Sequence, residues 1–412
     1  MERVIFHCDC NSFFASVELL HYPQLRDVPV AVCGDPTSRH GVILAKNEAA
    51  KRFGVQTAET VYAACRKCPD LHLLRPHHEE YRRMSRVINA IYARYTDLVE
   101  PFGIDESWLD MTGSWHLFGQ SPAEVADALR DTVRTETGLT ISVGVSFNKV
   151  FAKLGSDYRK PDATTVIFPE DVERIVHPLP VEALLYVGKS VCRTLHAMGI
   201  RTIGQAAHAE EEALSAALGK AGRQLSRYAR GLEDSTVRPA GQAREIKTVG
   251  NGMTFRRDLT APEEIRAGLQ ALSDEVASRL REKGLYASAV QVVIKDPAFH
   301  SISRQAPLNA PTCVGRELAE AALELVRKST GFRTPIRMLT VTAMQLTDTP
   351  DSAQLSMFEP PGKAQREKRE RLERSMDAIR QKYGKHAIAS ADVLKNDIGL
   401  RGLEIQQGDE ET

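Results

Sequence analysis

Pro101-Phe-Gly-Ile-Asp-Glu-Ser-Trp-Leu-Asp110 sets two adjacent carboxylates, Asp105 and Glu106, inside an apolar run. Carboxylates are seldom buried unless something compensates their charge. Two side by side repel, and a divalent cation is the natural compensation. A third acid, Asp9, ends another apolar run, Val4-Ile-Phe-His-Cys8. Three carboxylates on strand ends suit an oxygen-ligated pair of Mg²⁺ ions. Such a pair serves in-line phosphoryl or nucleotidyl transfer. The competing reading is that the acids only cap turns at a sheet edge.

Working outward, residues 3–8 read as a buried strand and Ser12–Leu20 as a helix. Val28–Cys33 and Gly41–Leu44 are short strands. Asn47–Phe53, closed by Gly54, and Val61–Cys68 are helices. Glu79–Tyr95 carries Met84, Val87, Ile88, Ile91 and Tyr92 at helical spacing. Strands Leu98–Phe102 and Ser107–Met111 flank the acids. A helix at Pro122–Gly138, a strand at Leu139–Val145, a helix at Lys149–Asp157 and a strand at Thr165–Phe168 follow. The alternation predicts an α+β sheet domain with the acids near one edge.

Residues 172–232 are helical with short loops. Leu184–Leu195 has the pattern of a helix–hairpin–helix with Gly188 in the turn, a geometry that aims backbone N–H groups at a phosphate. Leu218–Arg223 offers a second turn of that kind. Val237–Arg244 reads as a linker. The elements from Glu245 to Leu346 run β-α-β-β-α-β, a split βαβ unit. Gly362–Tyr383 is a charged helix expected to be solvated, and the last dozen residues are expected to be disordered.

A chain of 412 residues forms two to four domains. No apolar run approaches the roughly 20 residues of a membrane span, and no signal peptide precedes the first strand. Seven cysteines without a framework spacing point to a reducing, cytoplasmic setting. Cys65-Arg-Lys-Cys68 is a lone CxxC, for which His72, His77 and His78 are the nearest further zinc ligands; cysteines on a buried helix face are the favoured alternative. The formal net charge is zero, which excludes an evenly basic coat but not a local groove. Residues 244–346 hold about four more Lys/Arg than Asp/Glu.

Four ordered blocks resemble the Y-family of lesion-bypass DNA polymerases, of the DinB and UmuC type. They are His7-Cys-Asp-Cys-Asn-Ser-Phe-Phe-Ala-Ser-Val-Glu18, Phe102–Asp110, Ser142-Val-Gly-Val-Ser-Phe-Asn-Lys-Val-Phe-Ala-Lys153, and Lys160-Pro161. The resemblance covers about residues 3–350. It implies a right-hand fold with a palm (1–14 and 75–166), fingers (15–74), a helical thumb (167–236) and a little finger (243–347), before a tail (348–412). It implies that Asp9, Asp105 and Glu106, with the backbone carbonyl of Cys10, bind two Mg²⁺ ions. One ion would activate the primer 3′-hydroxyl and the other would neutralise the triphosphate. Phe14 matches the steric gate against ribonucleotides, with Phe13 in the core. Lys51 and Lys160 match positions that touch the triphosphate, and Val42 and Leu44 the roof over the templating base.

Two positions depart from the family pattern. Glu48 stands where many members carry a Tyr that contacts the triphosphate, so either Lys46 substitutes or the helix is rotated. Asn11 replaces a common acid. Gln354-Leu-Ser-Met-Phe358 resembles the peptide that bacterial polymerases insert into the sliding clamp, with Gln354 as polar anchor and Leu355, Met357 and Phe358 as apolar anchors. Implied DNA contacts are Gly188 and Lys189 in the hairpin, then Arg256, Arg257, Arg304, Arg333 and Arg337, with Thr254 and Ser303 as hydroxyl partners. Implied partners are primer-template DNA, deoxynucleoside triphosphates and the clamp, with the chain itself a monomer. A non-catalytic scaffold of this fold would lack the carboxylates, and a cyclase with a related palm would lack the thumb, the little finger and the peptide.

Overall fold

Ile5–Cys10 is buried along its whole length, as a strand must be when sheet continues on both sides and helices cover it. This strand, β1, is the centre of a five-stranded sheet. The structure, a computed structural model, describes residues 3–35, 41–242, 245–349, 363–384, 387–388 and 397–400. The chain divides into two compact units, 1–243 and 244–412.

In the first unit β1 leads to α1 (Phe13–His21), β2 (Val30–Cys33), β3 (Ile43–Lys46), α2 (Glu48–Arg52), α3 (Val61–Lys67) and β4 (His72–Leu74). Then come α4 (His78–Tyr92), β5 (Val99–Pro101), β6 (Glu106–Asp110), α5 (Pro122–Thr137), β7 (Ile141–Ser146), α6 (Lys149–Tyr158) and β8 (Thr164–Ile167). The large sheet runs β5-β6-β1-β7-β8, and a small sheet runs β3-β2-β4. Asp9 therefore lies on the central strand and Glu106 on its neighbour β6, while Asp105 sits in the turn that joins β6 to the edge strand β5. β1 has hydrogen-bonding partners on both sides, β6 and β7, so its buried backbone has no open edge. β4 went unread in the sequence: it is three residues long and pairs in parallel with β2.

Helices α4 and α5 close one face of the large sheet with Tyr81, Met84, Ile88, Leu129 and Val133. Each such side chain contributes roughly 1.5–3 kcal/mol on burial. Helix α6 lies across β7, β1 and β8. Asn148 starts it by accepting a hydrogen bond from the Phe151 N–H. Its approach is set by Gly144 and Gly155: a Cβ on Gly144 would lie 1.9 Å from the Ala152 carbonyl oxygen.

Helices α7 (Lys189–Ala197), α8 (Ile203–His208), α9 (Glu211–Leu218) and α10 (Lys220–Ala229) form a small bundle. Its core, including Leu195, Ile203 and Leu214, is shared with Val150, Phe151 and Leu154 of α6. The segment expected to be a linker is held at its start. Val237 is buried, Arg238 pairs with Glu100, and the Ala240 N–H donates to the Asp97 carbonyl.

The second unit runs β9 (Thr248–Leu259), α11 (Pro262–Glu282), β10 (Tyr286–Lys295), β11 (Ser301–Thr312), α12 (Gly315–Thr330) and β12 (Ile336–Thr347). The strands order as β11-β10-β12-β9, all antiparallel. Val290, Val292, Leu339 and Val341 face the two helices, and the alternate residues, such as Gln291 and Thr342, leave the other face polar. A further helix, α13 (Lys363–Tyr383), corrects the expectation of a merely solvated tail. Buried Arg281 of α11 binds Glu373 and, at 2.6 Å, Asp377, while Arg366 pairs with Glu317 at 3.0 Å. Charge along a helix reads as solvation only while its partners, here some 90 residues away, are unknown.

Candidate active site

Cross-strand register assembles the acids. Asp9 of β1 stands directly opposite Glu106 of β6. Asp105 occupies the β5–β6 turn, and its carbonyl accepts a hydrogen bond from the Cys10 N–H at 3.0 Å. All three carboxylates line one cavity of about 470 Å³, together with Cys10, Phe14, Leu44, Lys46, Lys51, Lys153, Asp157 and Lys160. That volume suits a small-molecule substrate.

The centre is saturated with opposed charge. Lys160 Nζ lies 2.7 Å from Asp9 Oδ1 and 2.7 Å from Asp157. Lys153 Nζ lies 2.8 Å from Glu106 Oε2 and 3.4 Å from Asp9 Oδ2. Burial would push Glu106 up, but His7 and Lys153 hold it at about 2. Burial, with the charges of Asp9 and Glu106, pushes Asp105 up to about 6. Burial opposes charging both lysines, yet the surrounding carboxylates raise both above the usual lysine value.

The donor set fits divalent cations on two observations. The carboxylates converge on one cavity, and Asp105 is left short of positive charge. Oxygen donors of this kind are those of Mg²⁺. Burial drives the Cys10 thiol up, so only the backbone of Cys10 is an apt donor.

Two members of the site were not assigned from sequence. Lys153 ends the Ser142–Lys153 block, whose sequence alone gives it no role. His7, fully buried, has Nε2 3.2 Å from Glu106 Oε2 and Nδ1 2.8 Å from Ser156 Oγ. His7 is thereby wedged between α6 and the carboxylate; its only sequence signal is its place two residues before Asp9.

Phe13 is buried, and Phe14 is half-buried and stacked on Tyr81, with ring centroids 4.2 Å apart and planes at 11°. Tyr81 is itself fixed by a hydrogen bond from its hydroxyl to buried Glu18. Leu44 lines the cavity, whereas Val42 is not among its lining residues and instead bridges to Thr60. Glu48 pairs with Lys51 at 3.5 Å, so the acid positions a lysine at the rim, and Lys46 reaches the same rim. Asn11 is buried and ties β1 to β7 through Ser142 and Thr140.

Gly188 caps α7, with open space around its Cα, and Lys189 beside it is exposed. In the second unit Arg256, Arg304 and Arg333 are exposed, and Arg337 lies over the Phe299 ring at 4.7 Å. Arg257 pairs with Glu264 and Asp397, which spends its charge within the unit. Residues 354–358 lie outside the described residues. Among the described residues no helix is long and apolar enough to cross a membrane.

Residues 8–157 match the impB/mucB/samB family, and residues 246–357 match the C-terminal domain of that family. DNA polymerase IV of Acetivibrio thermocellus is 44% identical over 403 residues, covering 98% of this chain and 100% of the relative. DNA polymerase IV of Clostridium kluyveri is 34% identical, covering 96% and 99%. DNA polymerase IV 1 of Bacillus subtilis is 34% identical, covering 96% and 94%. Among solved structures a Y-family DNA polymerase chimera superposes with a TM-score of 0.75 at 21% identity, over 84% of this chain and all of the chimera. The chain belongs to the impB/mucB/samB family, the Y-family DNA polymerases, among its DNA polymerase IV members.

Proposed function

We propose that the chain adds deoxynucleotides to a primer 3′ end by two-metal nucleotidyl transfer, at low fidelity and across damaged template. The observation that carries this is the convergence of Asp9, Asp105 and Glu106 with Lys153 and Lys160 on one cavity. In the family's terms the palm is 1–14 with 75–166, the fingers 15–74, the thumb 167–236 and the little finger 243–347.

Asp9, Asp105, Glu106 and the Cys10 carbonyl would hold two Mg²⁺ ions, which when bound supply charge neutralisation and a more acidic 3′-hydroxyl. The protein's own groups do the rest. Lys160, Lys51 and Lys46 form a cationic rim for a triphosphate, as point charges. Lys153, already bridging Asp9 and Glu106, holds those two carboxylates beside each other and helps keep Glu106 ionised. Phe14 cannot swing aside while stacked on Tyr81, so its edge excludes a 2′-hydroxyl. Leu44 roofs the base. The polar open face of the second unit, with Thr254, Ser303 and Arg256, suits phosphate contacts that carry no sequence information. Gln354–Phe358 serves as the clamp-binding peptide on its sequence alone.

Primer extension with Mg²⁺ on undamaged and abasic templates tests the reading. Asp105→Ala and Glu106→Ala should each lose at least about 10²-fold, a barrier increase of about 2.7 kcal/mol. Wild-type rates in both would discard it. Removing residues 354–358 should abolish stimulation by a sliding clamp and spare basal synthesis; surviving stimulation would reject the peptide's role.

A further inference from the structure

We propose that Glu182, Cys192 and His196 form a binding site for a single transition-metal ion of the Zn²⁺ type, on the small helical bundle and away from the carboxylate cavity. Cys192 and His196 are spaced i, i+4 on α7, so both side chains leave the same face. Glu182 comes from the short helical turn Val181–Ala183, which packs against that face. Cys192 Sγ lies 3.5 Å from His196 Nε2 and 3.9 Å from Glu182 Oε2, and His196 Nε2 lies 3.8 Å from the same Glu182 oxygen.

These are the separations of atoms that share an ion. Sulfur, nitrogen and oxygen ligands about 2.0–2.3 Å from a tetrahedral Zn²⁺ lie roughly 3.4–3.6 Å from one another. The triangle needs to contract by only a few tenths of an ångström. Thiolate, imidazole and carboxylate together favour Zn²⁺ over the hard Mg²⁺ of the other site. Three protein ligands leave a fourth position for water. Cys192 and His196 are half-buried beside the buried Leu195, which limits their motion, while Glu182 completes the triangle from the exposed side. On binding, the Cys192 thiol passes its proton to solvent. The ion ties residues 181–183 to α7 and so braces the turn at Gly188 from behind.

Two of the three ligands sit in one helical turn, but a single Cys-x₃-His carries no framework by which the sequence alone would mark a metal site. The described residues contain one other group with ligand atoms this close, His7 with Asp9 and Glu106, and it lacks a thiol.

Co²⁺ titration of the reduced full-length protein tests the site, because a thiolate bound to Co²⁺ gives a charge-transfer absorption band that Mg²⁺-site carboxylates cannot give. The expected result is a band saturating at one equivalent, displaced by Zn²⁺. Cys192→Ser and His196→Ala should each lose it, and Glu182→Gln should raise the midpoint about tenfold. Cys65→Ser, which leaves this bundle untouched, should retain it, and circular dichroism matching wild type shows that each variant is folded. A wild-type protein with no band, a band that survives Cys192→Ser, or an unchanged midpoint in Glu182→Gln would overturn the proposal.

Discussion

Gly144→Ala should damage a site that it does not touch. A Cβ at this position would lie 1.9 Å from the Ala152 carbonyl oxygen and 2.4 Å from the Ser156 amide nitrogen, both helix backbone. Ordinary contact begins near 3.4 Å, so α6 must retreat by 3.4 − 1.9 = 1.5 Å. No rotamer change relieves a clash with backbone. Helix α6 carries Lys153, whose Nζ is 2.8 Å from Glu106, and Ser156, the partner of His7. A 1.5 Å retreat breaks both contacts. Overpacking at a close approach of this kind costs about 3 kcal/mol. A misplacement of about 1 Å in a positioned group costs about 10²-fold in rate. Urea unfolding followed by tryptophan fluorescence reads the first quantity. Both tryptophans, Trp108 and Trp115, lie in the first unit, and Trp108 Nε1 donates to the Lys149 carbonyl at the head of α6. Single-turnover primer extension reads the second. Gly113→Ala, where an added Cβ meets nothing within 4 Å, is the control and should be silent. A Gly144→Ala protein with wild-type stability and wild-type rate would refute the argument that this glycine sets the helix against the sheet.

Three further outcomes are expected. Glu100 is buried, yet Lys149 and Arg238 hold its carboxyl at about 2 against an ordinary 4.5, which is worth about 3 kcal/mol at neutral pH. That contribution is present above pH 4.5 and fades as pH falls through 2. Glu100→Gln should therefore be less stable than wild type by about 3 kcal/mol at pH 7 but by only about 1 kcal/mol at pH 3; equal differences at both pH values would contradict it. Phe14→Ala should raise ribonucleotide over deoxynucleotide insertion by at least about tenfold, a change of about 1.4 kcal/mol in relative barrier. An unchanged ratio in steady-state insertion would show that the ring is only packing. Arg281→Met leaves Glu373 and Asp377 without their buried partner, at a cost of about 3 kcal/mol. Amide exchange across 363–383 should accelerate, and unaltered protection would mean that other contacts dock α13.

Much of the α+β order was legible because it is local. Short apolar runs mark β1 and β7, period-3.6 patterns mark α4 and α5, and the β-α-β-β-α-β order of the second unit follows from patterning of the same local kind. The acids stood out because apolar neighbours are costly for charge. Short elements were less visible: β4 has three residues, too few for a period.

By itself the sequence determined which residues are able to be strands and helices, and that three carboxylates would face an apolar environment, since both depend on neighbours within a few positions. Only the tertiary structure decided where the acids sit in the sheet. It also decided that Lys153 and His7 complete their surroundings, that Phe14 is braced by Tyr81, and that a charged tail helix docks through Arg281. Register, close approach and ion pairing join residues tens to more than a hundred positions apart. Local composition carries no term for such distances, so charge that reads as solvated becomes structural only when the fold supplies its partner.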